Sequence, residues 1–217
     1  MDDHDHRRPR YRRGHDHLVT ELAGAIALGL TLGVVTGMPI GVVNAAIVDA
    51  ATRGDTRFAT GIGVGGALAD TVHSSLAFAG VGHLIDQHPG WTRGMAIAAA
   101  IVIGGYTIVA ALQHRSPRPP ARRTTSGVVT GVLLTMPNPA PLGAWAAIAS
   151  AVWPTIDLAP ALVVGASVGV GSAAWFTLLA RTIGRLPRDG KATRWLPKIA
   201  LALLGLVALA GLVRAFV

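Results

Sequence analysis

The sequence predicts an all-α integral membrane protein with six transmembrane helices, and its composition and charge distribution carry that prediction. Of 217 residues, 51% are hydrophobic and only 14% are charged, whereas a soluble domain carries about 25% charged residues. The charges are also segregated, because long neutral runs alternate with short basic segments. A soluble fold would need a polar face on each helix, which these runs lack. Repeated crossing of a bilayer explains both observations.

The same composition excludes several classes of function. The chain has no cysteine, so disulfides and thiolate metal sites are excluded. Its net charge of +8 would suggest nucleic acid in a soluble protein, but here the basic residues flank apolar segments and face lipid headgroups. The lipid bilayer is therefore the expected partner and nucleic acid is not. No phosphate-binding lysine motif and no nucleophile–base arrangement is present, so we expect neither an enzyme nor a cofactor.

Six apolar segments follow a polar tail at residues 1–17, which we expect to be disordered. About 20 residues span the hydrocarbon core as a helix. The segments are residues 18–51, 58–85, 91–112, 127–152, 158–183 and 196–217. The first segment is too long for one straight span, so it is tilted, extends out of the bilayer or is broken at Pro39. Residues 18–217 form one transmembrane domain, with halves at about 18–112 and 127–217.

Arginine and lysine are concentrated in three of the five connections, which predicts the orientation in the membrane. These are the connections between segments 1 and 2, 3 and 4, and 5 and 6. They are therefore expected in the cytoplasm, with both termini outside. The basic N-terminal tail argues for the opposite orientation, and the connections are given more weight.

A short phrase occurs twice and divides the chain into two halves of three segments. Residues 33–37 and 127–131 both read Gly-Val-Val-Thr-Gly, and Met-Pro recurs at 38–39 and 136–137. Because three is odd, the second half would cross the membrane in the opposite direction. Such inverted repeats are common in secondary transporters, whose binding sites lie where corresponding helices are broken. Chance similarity of glycine-rich helices is the alternative.

Prolines interrupt the first and fourth segments at corresponding places. Pro39 is followed by Gly41 and Asn44, and Asn138 lies between Pro137 and Pro139. Proline removes a helical hydrogen bond, and lipid tolerates the freed backbone groups only where protein or a water-filled cavity satisfies them. Two facing breaks would offer backbone groups to a polar substrate. The alternative is a pair of structural kinks.

Asp70 lies well inside the second segment, with His73 three residues later on the same helical face. A carboxylate at that depth is costly and indicates function. It could carry a proton, bind a cationic group or pair with a neighbour, and Asp70 with His73 could contribute two metal ligands. Two ligands do not make a metal site, so none is predicted. Asp49, near the end of the first segment, is expected at the membrane interface.

Small residues recur at four-residue spacing in two segments, which indicates close helix packing. The stripes are Gly61, Gly65 and Ala69, and Gly165, Gly169 and Ala173. They would also permit a homodimer. The letters at 61–66 match a dinucleotide fingerprint, but no βαβ unit surrounds them.

Several of these motifs resemble those of the lysine exporter (LysE-type) family. Residues 39–45, Pro-Ile-Gly-Val-Val-Asn-Ala, resemble the Pro-x-Gly-Pro-x-Asn-Ala of its first span. Asp70 falls where its arginine and lysine exporters carry an aspartate, and Asn138-Pro139 matches the Asn-Pro of span four. The resemblance implies an exporter of amino acids or similar small solutes, driven by the proton gradient or membrane potential.

Two departures from the family pattern bear on the substrate. Val42 replaces the second proline of the first motif, and Gly143 stands where exporters of basic amino acids carry an acidic residue. One counter-charge for lysine or arginine is therefore missing. A neutral amino acid or another small metabolite becomes at least as good a candidate.

The sequence thus predicts an exporter in the cytoplasmic membrane whose pathway is lined by seven residues: Pro39, Gly41, Asn44, Asp70, His73, Asn138 and Pro139. A divalent or heavy-metal cation exporter is the first alternative, motivated by Asp70, His73 and the histidines of the tail. A membrane scaffold that transports nothing is the second.

Overall fold

The computed structural model describes residues 8–39, 41–80, 89–115, 126–153, 156–187 and 190–216. These residues form helices and short connections, with no strand among them. The helices are α1 Arg8–Gly37, α2 Val42–Thr52, α3 Thr56–Phe78, α4 Pro89–Arg115, α5 Gly127–Thr135, α6 Pro139–Val152, α7 Leu158–Gly184 and α8 Lys191–Phe216. The prediction of an all-α protein is confirmed.

The helix boundaries follow from local chemistry at each end. Ser126 accepts a hydrogen bond from the N–H of Val129 and begins α5, and Asp55 accepts one from Phe58 and begins α3. Both are typical N-cap residues. Helix α1 ends at Gly37, just before Pro39, and α5 ends at Thr135, just before Pro137. The two predicted breaks are therefore real interruptions of the helical backbone.

Four helices are long and apolar enough to cross a membrane: Val19–Gly37, Arg93–Leu112, Leu158–Gly184 and Lys191–Val213. Helices α2 and α6 are shorter and apolar, and each follows a break within a predicted segment. Helix α3 has 23 residues but is not among the four, because Asp70, His73 and its many glycine, serine and threonine residues lower its mean hydropathy. Helix α1 begins at Arg8, inside the segment predicted to be a disordered tail; residues 1–7 lie outside the described part.

Glycines bring the backbones of two helix pairs into direct contact. Helix α1 packs on α7, where a β-carbon on Gly33 would collide with the carbonyl oxygen of Val168. Helix α5 packs on α3, where a β-carbon on Gly131 would collide with the carbonyl oxygen of Ile62. The predicted stripe at Gly61 and Gly65 lies in the second contact. Close packing of these small residues is confirmed, and it occurs within the chain.

The two glycine contacts have the same register. Gly131 follows Gly33 by 98 positions, and Val168 follows Ile62 by 106. A second pair of contacts has the same two offsets. Gly171 contacts Leu30 and Gly65 contacts Val128, so Val128 corresponds to Leu30 and Gly171 to Gly65. The Met-Pro repeat at 38–39 and 136–137 has the same offset of 98, whereas the match of residues 33–37 with 127–131 has an offset of 94 and lies one helical turn away.

Asp49, which the sequence places near the end of a segment, is buried inside the protein. Its side chain is fully inaccessible and forms an ion pair with Arg53. The hydroxyl of Tyr106 in α4 donates to Asp49 Oδ2 at 3.1 Å. The sequence did not reveal this burial, because the covering residue Tyr106 belongs to a different helix.

Candidate functional site

The break between α1 and α2 is held by one amide side chain. Asn44 Nδ2 donates to the carbonyl oxygens of Gly37 at 2.7 Å and Pro39 at 2.6 Å. Carbonyls at the end of a helix have no partner within it, so Asn44 satisfies groups that the break leaves free. Asn44 is only 6% exposed.

The N-terminus of α2 has no side-chain cap. Gly41 occupies the N-cap position in an extended conformation, with φ −115° and ψ −174°, and it has no side chain to offer. The N–H groups of the first helical turn, at Val42, Val43 and Asn44, therefore lack acceptors within α2. They carry the partial positive charge of a helix N-terminus. In addition, Asn44 Oδ1 is buried and accepts no hydrogen bond.

The break between α5 and α6 is built differently. Asn138 is the N-cap of α6, and its side-chain oxygen accepts from the N–H of Ala140 at 3.1 Å. Pro139 and Pro141 occupy the first and third helical positions and have no N–H to satisfy. The first turn of α6 thus has no free donor, in contrast to that of α2.

Both breaks open onto one cavity of about 520 Å³. Its lining combines the two breaks with single residues of α3, α7 and α8. The lining residues are Thr36, Gly37, Pro39, Gly41, Val42, Val43, Asn44, Asp70, Leu134, Thr135, Asn138, Ala140, Pro141, Ala144, Trp145, Ile148, Phe176 and Val207. The cavity is the size of a small-molecule site.

Asp70 is the one charged side chain among the described residues that line this cavity. It interacts with the hydroxyl of Ser172 in α7, which is fully buried. The Ser172 hydroxyl also lies 3.3 Å from the carbonyl oxygen of Gly33. The described residues of the lining include no lysine, arginine or histidine. A carboxylate in such surroundings is suited to binding a cationic group or a proton.

The structure brings five of the seven predicted residues to this cavity: Pro39, Gly41, Asn44, Asp70 and Asn138. Pro139 is the first residue of α6, beside the lining. His73 is 3% exposed and lies against the backbone of Met136, outside the lining.

Metal ligands are sparse in the part of the chain that the structure describes, where no three histidine, aspartate or glutamate side chains lie together. The histidines of the tail, at residues 4–6 and 15–17, fall outside the described side chains.

The apolar walls of the cavity and the partner of Asp70 are not evident from the sequence. Trp145 and Phe176 supply aromatic surface, and nothing in their local sequence separates them from other apolar residues of a span. Ser172 could have been noticed as a hydroxyl within an apolar segment. A second cavity of about 200 Å³, between α2, α7 and α8, shares Asn44 with the first and is otherwise apolar apart from the indole of Trp175.

Comparisons with curated proteins and with solved structures give no match. A family model described as "LysE type translocator" matches residues 34–214. The match covers both helix breaks and the whole cavity lining, and it extends over most of the chain. The protein therefore belongs to the LysE type translocator family of membrane transporters.

Proposed function

We propose that the protein is a secondary transporter that exports amino acids or similar small metabolites across the cytoplasmic membrane. One observation carries this proposal: a cavity lies between two helix breaks and contains a single carboxylate, Asp70, with no cation in its described lining. Membership of a translocator family supports it. A scaffold would have no use for such a cavity, since a buried carboxylate costs stability.

We further propose six spans in an inverted 3+3 arrangement. The broken helix α1–α2 with α3 and α4 would form one half, and α5–α6 with α7 and α8 the other. The matched contacts at offsets of 98 and 106 positions support this arrangement. In such transporters one half rocks against the other around a fixed site at the interface. The cavity lies between the two breaks, where that site is expected.

Asp70 is the best candidate for coupling transport to the proton gradient or the membrane potential. It is the one group in the described lining that changes charge on binding a proton. Cation export is less well supported, because His73 lies outside the lining and the described residues hold no cluster of three ligands. A homodimer stays a prediction, and the glycine stripes that motivated it face other helices of the same chain.

The proposal is tested by efflux from proteoliposomes with a panel of amino acids and divalent cations. Asp70→Asn keeps the size of the side chain and removes its charge. We expect it to lower efflux about tenfold or more, which is the effect of losing one hydrogen bond to a charged group. Asp157→Asn is the matched control, because Asp157 is exposed before α7 and caps nothing. It should transport like the parent.

Unchanged, pH-independent efflux in Asp70→Asn would remove Asp70 from the mechanism. Efflux of divalent cations without any amino acid would favour the cation exporter. Absence of saturable flux for every solute in the panel would favour the scaffold.

A further inference from the structure

We propose that the cavity binds its substrate at two ends, with the N-terminus of α2 holding a carboxylate while Asp70 and Asn44 hold an ammonium group. The substrate is then an α-amino acid with both groups free and an uncharged side chain. This inference rests on the proposed transport function and specifies its substrate class.

The carboxylate end is the uncapped first turn of α2. Gly41, Val42, Val43 and Asn44 all line the cavity, and Gly41 provides no oxygen for the free N–H groups. Free N–H groups and the helix dipole together make an anion site. Helix α6 does not duplicate this site, since its first turn has two prolines and one N–H that Asn138 already caps. The lining therefore has room for one carboxylate and disfavours a dicarboxylate.

The ammonium end consists of two acceptors, and no basic side chain lies among the described residues of the lining. Asn44 is 94% buried, given its exposure of 6%, and its Oδ1 accepts no hydrogen bond. Its Nδ2 is held by the carbonyls of Gly37 and Pro39, which fixes Oδ1 in place. Asp70 supplies the negative charge on the same cavity. A buried acceptor without a partner is costly, and an ammonium group would satisfy both acceptors with charge-assisted hydrogen bonds.

Asn44 also explains why the two ends suit an α-amino acid. Its own backbone N–H belongs to the first turn of α2. Its side-chain Oδ1 accepts no hydrogen bond, and the residue lines the cavity. One residue thus presents a donor and an acceptor next to each other. An α-amino acid presents the complementary pair, because its ammonium and carboxylate are attached to the same carbon atom.

Most of the remaining described lining is apolar, apart from Thr36, Thr135 and Asn138, and offers no charge to a charged side chain. Leu134, Trp145, Ile148 and Phe176 supply hydrocarbon and aromatic surface. The only charge in the described lining, Asp70, is used by the α-ammonium group. A lysine or arginine side chain would be buried without a counter-charge, which is strongly unfavourable.

Analogues of one amino acid test the two ends separately. Competition against labelled L-leucine counterflow in proteoliposomes is measured with leucinamide, which lacks the carboxylate, and N-acetyl-leucine, which lacks the ammonium. Each should compete about tenfold more weakly than leucine, since each loses a charge-assisted hydrogen bond. Lysine and glutamate should also compete more weakly than leucine.

Gly41→Ser tests the carboxylate end within the protein. A β-carbon at Gly41 would lie 3.9 Å from the nearest atom, the oxygen of Pro39, so a serine fits. Its hydroxyl would cap the first turn of α2 and compete with the substrate carboxylate. We expect leucine to bind about tenfold more weakly, with leucinamide unaffected and thermal stability equal or higher. Gly24→Ser is the matched control, because Gly24 is exposed on α1 with no atom within 4 Å.

The outcomes separate this inference from the proposed function. If leucine moves but its two analogues compete equally well, or Gly41→Ser binds leucine like the parent, two-ended binding is wrong and export still stands. Preferred transport of lysine or glutamate would overturn only the inference that the substrate has an uncharged side chain. If no amino acid moves, the proposed function and this inference both fail.

Discussion

At the scale of single residues, two asparagines at corresponding breaks perform opposite tasks. Asn44 donates through its side chain to the carbonyls of Gly37 and Pro39, whereas Asn138 accepts through its side chain from the N–H of Ala140 in α6. An amide can do either, since it carries both a donor and an acceptor. The choice follows from position: Asn44 comes after the start of its helix and reaches back, and Asn138 is the N-cap itself.

Asp49 shows how one buried charge depends on its partners. It is fully inaccessible to solvent. Its carboxylate forms an ion pair with Arg53, four residues later, and accepts a hydrogen bond from the Tyr106 hydroxyl of α4. Removing one partner of a buried ion pair leaves the other charge uncompensated. Because Tyr106 belongs to α4, these interactions also hold α2 against α4, and their loss should weaken the packing of both helices.

We expect Asp49→Ala to lower the free energy of unfolding by about 3–5 kcal/mol, because Arg53 would then be left without its counter-charge. Tyr106→Phe should cost about 1 kcal/mol, the value of one hydrogen bond. Denaturation in detergent micelles, followed by tryptophan fluorescence, measures both. The double variant Asp49→Ala/Arg53→Ala should be less destabilised than Asp49→Ala alone. A double variant as unstable as the sum of the single variants would show that the pair is not coupled.

At the scale of helices, the glycine contacts determine how closely the broken helices approach their neighbours. Helices in a membrane gain little from hydrophobic association, so close van der Waals contact across small residues holds them together. Gly33 meets the backbone of α7 at Val168 and Ser172. This contact places α1, and hence the first break, beside the α7 residue that interacts with Asp70.

Gly33→Ala should destabilise the protein by about 1–3 kcal/mol, the usual cost of overpacking. The added methyl group would collide with the backbone of α7, which cannot move aside as a flexible side chain can. Gly24→Ala is the matched control on the same helix, with no atom near the new methyl group. It should be neutral or stabilising by up to about 1 kcal/mol, since alanine favours helix. Thermal unfolding of the two variants in the same detergent makes the comparison. Equal stability would show that α1 and α7 are not in close contact.

At the scale of the whole molecule, the arrangement of the spans decides which side of the membrane each connection faces. The chain contains no cysteine, so a cysteine introduced at one position is the only thiol in the protein and no native cysteine has to be removed. Suitable exposed positions are Arg57 and Arg185 on the basic connections, and Ala79 and Asp157 on the others. With six spans and basic connections in the cytoplasm, these two pairs lie on opposite sides.

Labelling of intact cells with a membrane-impermeant maleimide tests this arrangement. Ala79→Cys and Asp157→Cys should react in intact cells, and Arg57→Cys and Arg185→Cys only after permeabilisation. The unsubstituted chain should not react at all. The reversed pattern would invert the orientation and keep the six spans, whereas four positions accessible from one side would contradict the six-span arrangement.

The amino-acid sequence by itself determined the class of the protein, the places where its helices break and most of the polar residues at the cavity. These features follow from local causes: apolar runs must be helical in lipid, and proline interrupts a helix wherever it occurs. Asp70 was identifiable for the same reason, since a carboxylate inside an apolar run needs no structure to be recognised as costly.

Only the tertiary structure decided which of these features meet. It brings two breaks about 100 residues apart onto one cavity with Asp70, leaves His73 outside that cavity, and buries Asp49 under α4. It also decides between two offsets in the sequence, because the contacts of α1 and α5 follow the 98 positions of the Met-Pro repeat and not the 94 of the Gly-Val-Val-Thr-Gly repeat. Such relations depend on packing between distant segments, and the repeating letters of a glycine-rich helix do not distinguish one turn from the next.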